Sequence, residues 1–405
     1  MEFQNKISAN GLTIIGEVNN SAQSAAVGFF VRTGARDETD AVSGVSHFLE
    51  HMIFKGTDNL SAMDVNEAFD RIGAKFNAFT SEENTVYYAA ILPEYAEKIT
   101  RLWAQLMRPA LRDEDFDLEK NVIKEEIAMY KDLPHFDVMD RARALHFDGH
   151  PCGKSVLGTN ESIDALKSSQ MRNYFSVRYA PNNIVLACCG DIDFDKICAV
   201  AEDGCGGWTA SDAKRELSGW GGSGKKERHA KDNLTHEHIC LLSEAVSMQD
   251  KRRYANSLAA MIVGDYTGSR FYWALVDNAL ADTAAMQYES MDGAGAMYSY
   301  IRCSSENKDK VMEIVAEIFD DIQRDGVSES ELRTARNKVL SAVTIKSETP
   351  MGRLVNLGFN WVYRNEYRDI NEDIAAIKAV KTDDINSLMR EFKLNRFTQL
   401  SIGPE

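Results

Sequence analysis

His47, Glu50 and His51 stand in the order His-x-x-Glu-His within Gly44-Val45-Ser46-His47-Phe48-Leu49-Glu50-His51-Met52. This is the inverse of the commoner His-Glu-x-x-His zinc motif. On a helix, His47 and His51 lie one turn apart on one face, so two imidazoles can grip one metal ion. Glu50 falls beside that face, close enough to take a proton from water at the metal without binding the metal itself. Two ligands are too few, because catalytic zinc takes three protein ligands and leaves a fourth position for water. A solvated helix face would also carry a His pair at this spacing. The apolar neighbours Phe48, Leu49, Met52, Ile53 and Phe54 favour the metal, since charge acts strongly beside a dry wall.

A metal on this helix needs elements that bring a third ligand to it. A helix beginning near Asp113 carries Phe116, Leu118, Val122, Ile123, Ile127 and Tyr130 as its apolar set. Glu119 and Glu126 are two turns apart and point the same way, so this is the place to seek the ligand. Composition alone favours a charged, solvated helix there. Ahead of the motif, residues 12–18 and 25–32 read as strands. After it, 61–73 reads as a helix stopped by Gly73, and 74–91 as two strands around a polar turn at 81–84. Helices are expected at 93–107, 163–174 and 194–201, with a buried strand at 183–191.

Glycine then becomes dense, at Gly204-Cys205-Gly206-Gly207 and Gly219-Trp220-Gly221-Gly222. This marks a linker at the midpoint, after which the order of elements repeats. The repeat runs from a strand at 238–243, through helices at 253–263 and 269–280, strands near 284–288 and 295–302, and helices at 307–323, 328–346 and 350–363, to a last strand at 397–402. The expectation is α+β: two homologous halves, each an antiparallel-rich mixed sheet with helices packed on it. The divisions are 1–205 for a metal-binding domain, 206–232 for the linker and 233–405 for a repeat that carries no histidine at the corresponding helix.

The chain has 405 residues, 44% hydrophobic and 27% charged, with a net charge of −16. That balance and the lack of a basic aromatic patch exclude nucleic acid as a partner. No apolar run reaches the roughly 18 residues of a membrane span, and the N-terminus lacks a signal pattern. The seven cysteines form no C-x-x-C pair, so neither a disulfide framework nor a cysteine metal site is expected, and a reducing, cytoplasmic setting is the default.

His47-Phe48-Leu49-Glu50-His51-Met52-Ile53-Phe54-Lys55-Gly56-Thr57 resembles the active-site helix of the pitrilysin–insulysin family of zinc peptidases, nearest to the branch of mitochondrial processing peptidase and its bacterial relatives. That family's third ligand lies in a Val-Ile-x-x-Glu context, matched by Val122-Ile123-Lys124-Glu125-Glu126, 75 positions after His51. Further matches are Gly73-Ala74-x-x-Asn77-Ala78-x-Thr80-Ser81 and the loop from His150-Pro151 to Leu157-Gly158. The resemblance covers nearly the whole chain. It implies zinc held by His47, His51 and Glu126, Glu50 as the base, and Glu119 as a supporting carboxylate. It also implies that Phe76, Asn77 and Ala78 form an edge strand on which an extended peptide docks; taken alone they read as a core strand. The two halves are expected to close like a clamshell, in a chain that pairs with a second copy or a related subunit.

One departure stands out. The family's second half carries an arginine and, seven residues later, a tyrosine that serve the substrate near zinc. Gly268-Ser269-Arg270-Phe271-Tyr272 matches the start of that segment, but the two positions hold Val276 and Thr283. Tyr288, Tyr298, Arg302 or a partner chain are the candidate substitutes.

Overall fold

The computed structural model describes residues 1–405 and folds them into two compact units, each a sheet with helices packed on it. In the first sheet the strands are β1 (Glu2–Ile7), β2 (Thr13–Val18), β3 (Ala25–Val31), β4 (Lys75–Thr80), β5 (Thr85–Ile91) and β6 (Ile184–Gly190). They lie in the order β1-β2-β6-β3-β5-β4, antiparallel except for β2–β6, with β4 at an edge. In the second sheet, β7 (Lys226–Ala230), β8 (His236–Glu244), β9 (Thr283–Ser290), β10 (Gly295–Ser304) and β11 (Phe397–Gly403) lie in the order β7-β11-β8-β10-β9. The class is the α+β arrangement with two similarly built halves that the sequence implies.

The units do not follow the two halves of the chain. One comprises Met1–Ile127, Lys154–Glu216 and Ile345–Arg368; the other comprises Ala128–Gly153, Leu217–Thr344 and Asp369–Glu405. Each half thus gives a helix to the other half's sheet. The first half of the chain contains α1 (Val45–Ile53), α2 (Ala62–Asp70), α3 (Ala96–Leu106), α4 (Asp113–Asp132) and α5 (Pro134–His146), and α5 packs on β8 and β11. In return, the helix Pro350–Arg364 packs on β3 and β6.

This exchange explains β3. All seven of its residues are buried, giving a continuous apolar run rather than alternation, as expected for a strand covered on both faces. Val27, Phe29 and Val31 face the core that includes α1 and α3, whereas Ala26 and Phe30 face a second layer with Leu354, Leu357 and Val362. Gly358 makes that second layer fit: a Cβ there would stand 2.2 Å from Phe30 Cζ. The same helix is pinned by a buried ion pair, with Arg353 Nε donating to Glu17 Oε1 at 2.7 Å and Tyr367 Oη donating to Glu17 Oε2 at 3.0 Å.

Three differences from the sequence reading have local causes. The helix expected at 269–280 is reduced to a π-helical turn, Tyr272–Val276. There Asn278 Nδ2 bonds back to Trp273 O at 2.9 Å and Ala279 turns left-handed at φ 54°, so the chain leaves the helix. The helix expected at 163–174 is two, Asn160–Ala165 and Ser168–Arg178, because the chain is extended at Leu166 and Lys167. Finally, β1, α5, β7 and the helices Ile370–Ala379 and Thr382–Glu391 are additional elements. No helix is long and apolar enough to cross a membrane, and all seven cysteines are buried.

Candidate metal centre

The start of α1 is fixed from outside the helix. Its N-cap is Gly44 at φ 89°, which brings no capping side chain. Glu38 fills that role: its buried carboxylate accepts from Gly44 N at 2.7 Å and Ser46 N at 2.8 Å. Burial pushes the Glu38 carboxyl up to about 8, against these backbone hydrogen bonds, so what Glu38 supplies is acceptors for N–H groups that the helix leaves unpaired. Glycine is required at position 44 by the positive φ and by Leu157 O, which a Cβ would approach to 2.7 Å. Phe48 stacks on Phe116 with ring centroids 4.6 Å apart, and this sets α1 against α4.

On that scaffold His47, His51 and Glu126 come together, with ligand atoms all within 4.8 Å of one another. Glu126 Oε2 lies 3.6 Å from His47 Nε2 and 3.4 Å from His51 Nε2. Tetrahedral nitrogen and oxygen ligands at zinc bond lengths sit about 3.3 Å apart, so the donors are spaced as one small cation requires. The donor chemistry also fits, with two imidazoles and one carboxylate. Glu119 is buried behind them. It meets His51 Nδ1 at 2.9 Å and pairs on its other oxygen with Lys55. With a carboxylate on Nδ1, His51 turns Nε2 toward Glu126.

The electrostatics agree with a site made for positive charge. Burial opposes protonation of His51, but its hydrogen bonds to Glu119 and Glu126 hold it up at about 9. Burial and the neighbouring His51 push His47 down to about 4. Burial would raise Glu119, yet His51 and Lys55 keep it below the usual carboxylate range. The hydrogen bond from His51 likewise lowers Glu126, against the effect of burial. Two acidic side chains thus hold one proton on His51, in the place where a cation would balance them.

Glu50 stands next to this cluster on α1 and is raised by burial, against a hydrogen bond from Thr80. Thr80 Oγ1 donates to Glu50 Oε2 at 2.7 Å. The edge strand β4 carries Phe76, Asn77 and Ala78, paired with Ala89, Tyr88 and Tyr87 of β5. The Phe76 ring is taken up by packing, stacked on Phe69 at 3.8 Å and tilted against Phe54. Only its backbone lies along the edge. Ala78 N donates to Asn77 Oδ1 at 2.9 Å. Sequence reasoning did not single out Glu38, Lys55 or Thr80. Lys55 and Thr80 lay inside the matched motifs, but their partners are far away along the chain.

The second unit employs the candidate substitutes elsewhere. Tyr288 Oη donates to Val246 O at 2.7 Å, Arg143 lies over the ring of the buried Tyr298, and Arg302 pairs with Asp282 at 3.3 Å. Val276 packs against the second unit's core, and Thr283 opens β9 opposite Arg302.

Comparison with known proteins identifies the family. The family model described as Insulinase (Peptidase family M16) matches residues 13–160, and that described as Peptidase M16 inactive domain matches residues 165–339. A Bacillus subtilis (strain 168) protein, described as uncharacterized zinc protease YmxG, is 30% identical over 403 residues, covering 98% of this chain and 97% of that one. A protease from Helicobacter pylori has the same fold, with TM-score 0.91 at 20% identity over 100% of this chain and 99% of that one. A chain of complex III2 from Candida albicans also shares it, with TM-score 0.86 at 17% identity over 99% and 95%. The chain is a member of the M16, insulinase-type peptidase family.

Proposed function

We propose that this chain is a zinc-dependent endopeptidase that hydrolyses unfolded peptides or small polypeptides. The observation that carries the reading is the convergence of His47, His51 and Glu126 beside a hydrogen-bonded Glu50. Relatives named as zinc proteases support zinc as the metal. His47, His51 and Glu126 would hold the zinc ion, which would supply Lewis acidity at this place. Glu50, whose carboxyl burial raises, would accept a proton from water there and return it to the leaving amine. Glu119 keeps the His51 ring oriented. The open edge of β4 pairs with an extended peptide through main-chain hydrogen bonds, which favours unfolded substrates and weak sequence preference.

The test compares wild type with Glu50→Gln on quenched fluorescent peptides, with zinc content measured on both. The expected result is about one zinc per chain in each and a rate loss of at least about a hundredfold in the variant. Full activity in Glu50→Gln would remove the base, and no zinc uptake would remove the metal site.

A second reading is a subunit whose activity depends on a partner chain. Val276 and Thr283 favour it, as they stand where the family resemblance expects an arginine and a tyrosine. The shared fold with a complex III2 chain is consistent with it. Under this reading the isolated chain binds zinc but cuts peptides only when a second copy or a related subunit is present.

A further inference from the structure

We infer that Thr80 is the positioning residue for Glu50, so that the strand offered to the substrate also sets the catalytic base. The inference rests on the proposed role of Glu50 as that base.

Thr80 is the last residue of β4, and period-2 alternation puts Phe76, Ala78 and Thr80 on one face of the strand. That is the face toward α1, because Ala78 is buried in the same core as Phe48 and Leu49. From there Thr80 Oγ1 reaches Glu50 Oε2 at 2.7 Å. The direction of the bond follows from its acceptor, because an ionised carboxylate carries no proton. Thr85 Oγ1, whose own proton goes to Thr33 O at 3.0 Å, is a second acceptor but a more distant one, at 3.4 Å. The Thr80 hydroxyl therefore donates to Glu50.

The donor is itself held firmly. Thr80 pairs with Thr85 across the hairpin. The turn beyond it is closed by Ser81, whose Oγ bonds Asn84 O and receives Asn84 N, each at 3.1 Å. Glu83 of that turn is buried against Arg36 at 2.7 Å. A β-branched side chain on such a backbone has few rotamers to choose from. With Oε2 anchored, proton exchange falls to the other carboxylate oxygen. Movement of β4 on peptide binding would carry Glu50 with it.

Thr80→Val keeps the shape and removes the donor, whereas Thr80→Ser keeps the donor. With kcat and KM measured on one quenched peptide, Thr80→Val is expected to lower kcat about tenfold or more. KM, zinc content and thermal midpoint should stay near wild type, and Thr80→Ser should recover most of the rate. An unchanged kcat in Thr80→Val overturns the inference, as does a loss that serine does not recover or a change confined to KM. Glu50→Gln in the same series separates the two claims, since full activity there refutes the base itself. A crystal structure of zinc-loaded Thr80→Val gives a readout independent of turnover: the Glu50 side chain should leave its wild-type rotamer, and an unmoved Glu50 overturns the inference even if the chain cuts no peptide.

Discussion

Replacing Glu119 tests whether the metal centre depends on a residue that does not touch the metal. Glu119 is 4% exposed and holds His51 Nδ1 at 2.9 Å, so solvent screening barely weakens the bond. A hydrogen bond to a charged group in such a place contributes roughly 1.5–3 kcal/mol. Loss of a carboxylate behind a metal-ligating histidine typically lowers metal affinity by about 10–100-fold, which is about 1.4–2.8 kcal/mol. The two ranges agree because they describe one event, the release of the His51 ring from its working orientation. Glutamine can still accept from Nδ1 but without charge, so Glu119→Gln should fall near the tenfold end. Glu119→Ala removes the acceptor and should approach a hundredfold. Neither should unfold the protein, because the freed Lys55 side chain is 34% exposed and can turn to water. The assay is zinc competition against a chromophoric chelator at fixed pH, with circular dichroism on the same samples. Affinities within twofold of wild type for both folded variants would refute the argument that Glu119 orients His51.

Two further predictions concern the fold. Arg353→Met strands Glu17, whose side chain is 2% exposed, and should cost about 3–5 kcal/mol in urea unfolding; the double variant with Glu17→Met should recover most of it, and a single-variant cost under about 1 kcal/mol would show that the pair is not what pins the exchanged helix. Burial, and then Arg143, depress the buried His146 from its ordinary 6.5 to about 4. The unfolded chain therefore binds more protons between those values, so stability falls as pH drops from 6.5 toward 4, by roughly 3 kcal/mol in all. His146→Gln should flatten the unfolding free energy in that window, and an unchanged slope would refute the assignment.

What could be read from the sequence follows the range of the forces involved. The His47–His51 spacing is a one-turn relation, legible without any tertiary knowledge. Helical spacing marks Glu119 and Glu126 as candidates, but only the resemblance picks Glu126 as the ligand, because its meeting with His51 depends on Phe48 stacking on Phe116 across 68 residues of chain. The continuous apolar run of β3 signals that both its faces are covered, but nothing local says that the second cover comes from Pro350–Arg364. Nor does composition show that α5 serves the other sheet, since nothing in its charged sequence points there until Val138 and Ala142 are seen buried with β8 and β11 residues. Thr80 is an ordinary strand threonine until Glu50 is placed opposite it. Locally encoded residues gave themselves away; those whose function lies in a distant partner did not.

The same distinction bears on Val276 and Thr283. The unit that carries His47 also carries His51, Glu126, Glu50 and Thr80, so the proposed metal donors, the proposed base and its threonine lie together in it. The family resemblance expects an arginine and a tyrosine at 276 and 283 to serve the substrate near zinc; under the proposed function, loss of one donor to the developing carbonyl charge typically costs about 10²–10³ in kcat. Tyr288, Tyr298 and Arg302 are each engaged elsewhere, with Val246, Arg143 and Asp282 respectively. The isolated chain should therefore bind zinc at full affinity and yet turn over peptides about 10²–10³-fold more slowly than a mixture with a subunit that supplies an arginine or tyrosine. Single-turnover assays across a titration of that subunit measure the ratio. A zinc-loaded chain that alone reaches an ordinary enzyme rate, with no gain on mixing, would show that the carbonyl's charge is met from within this chain.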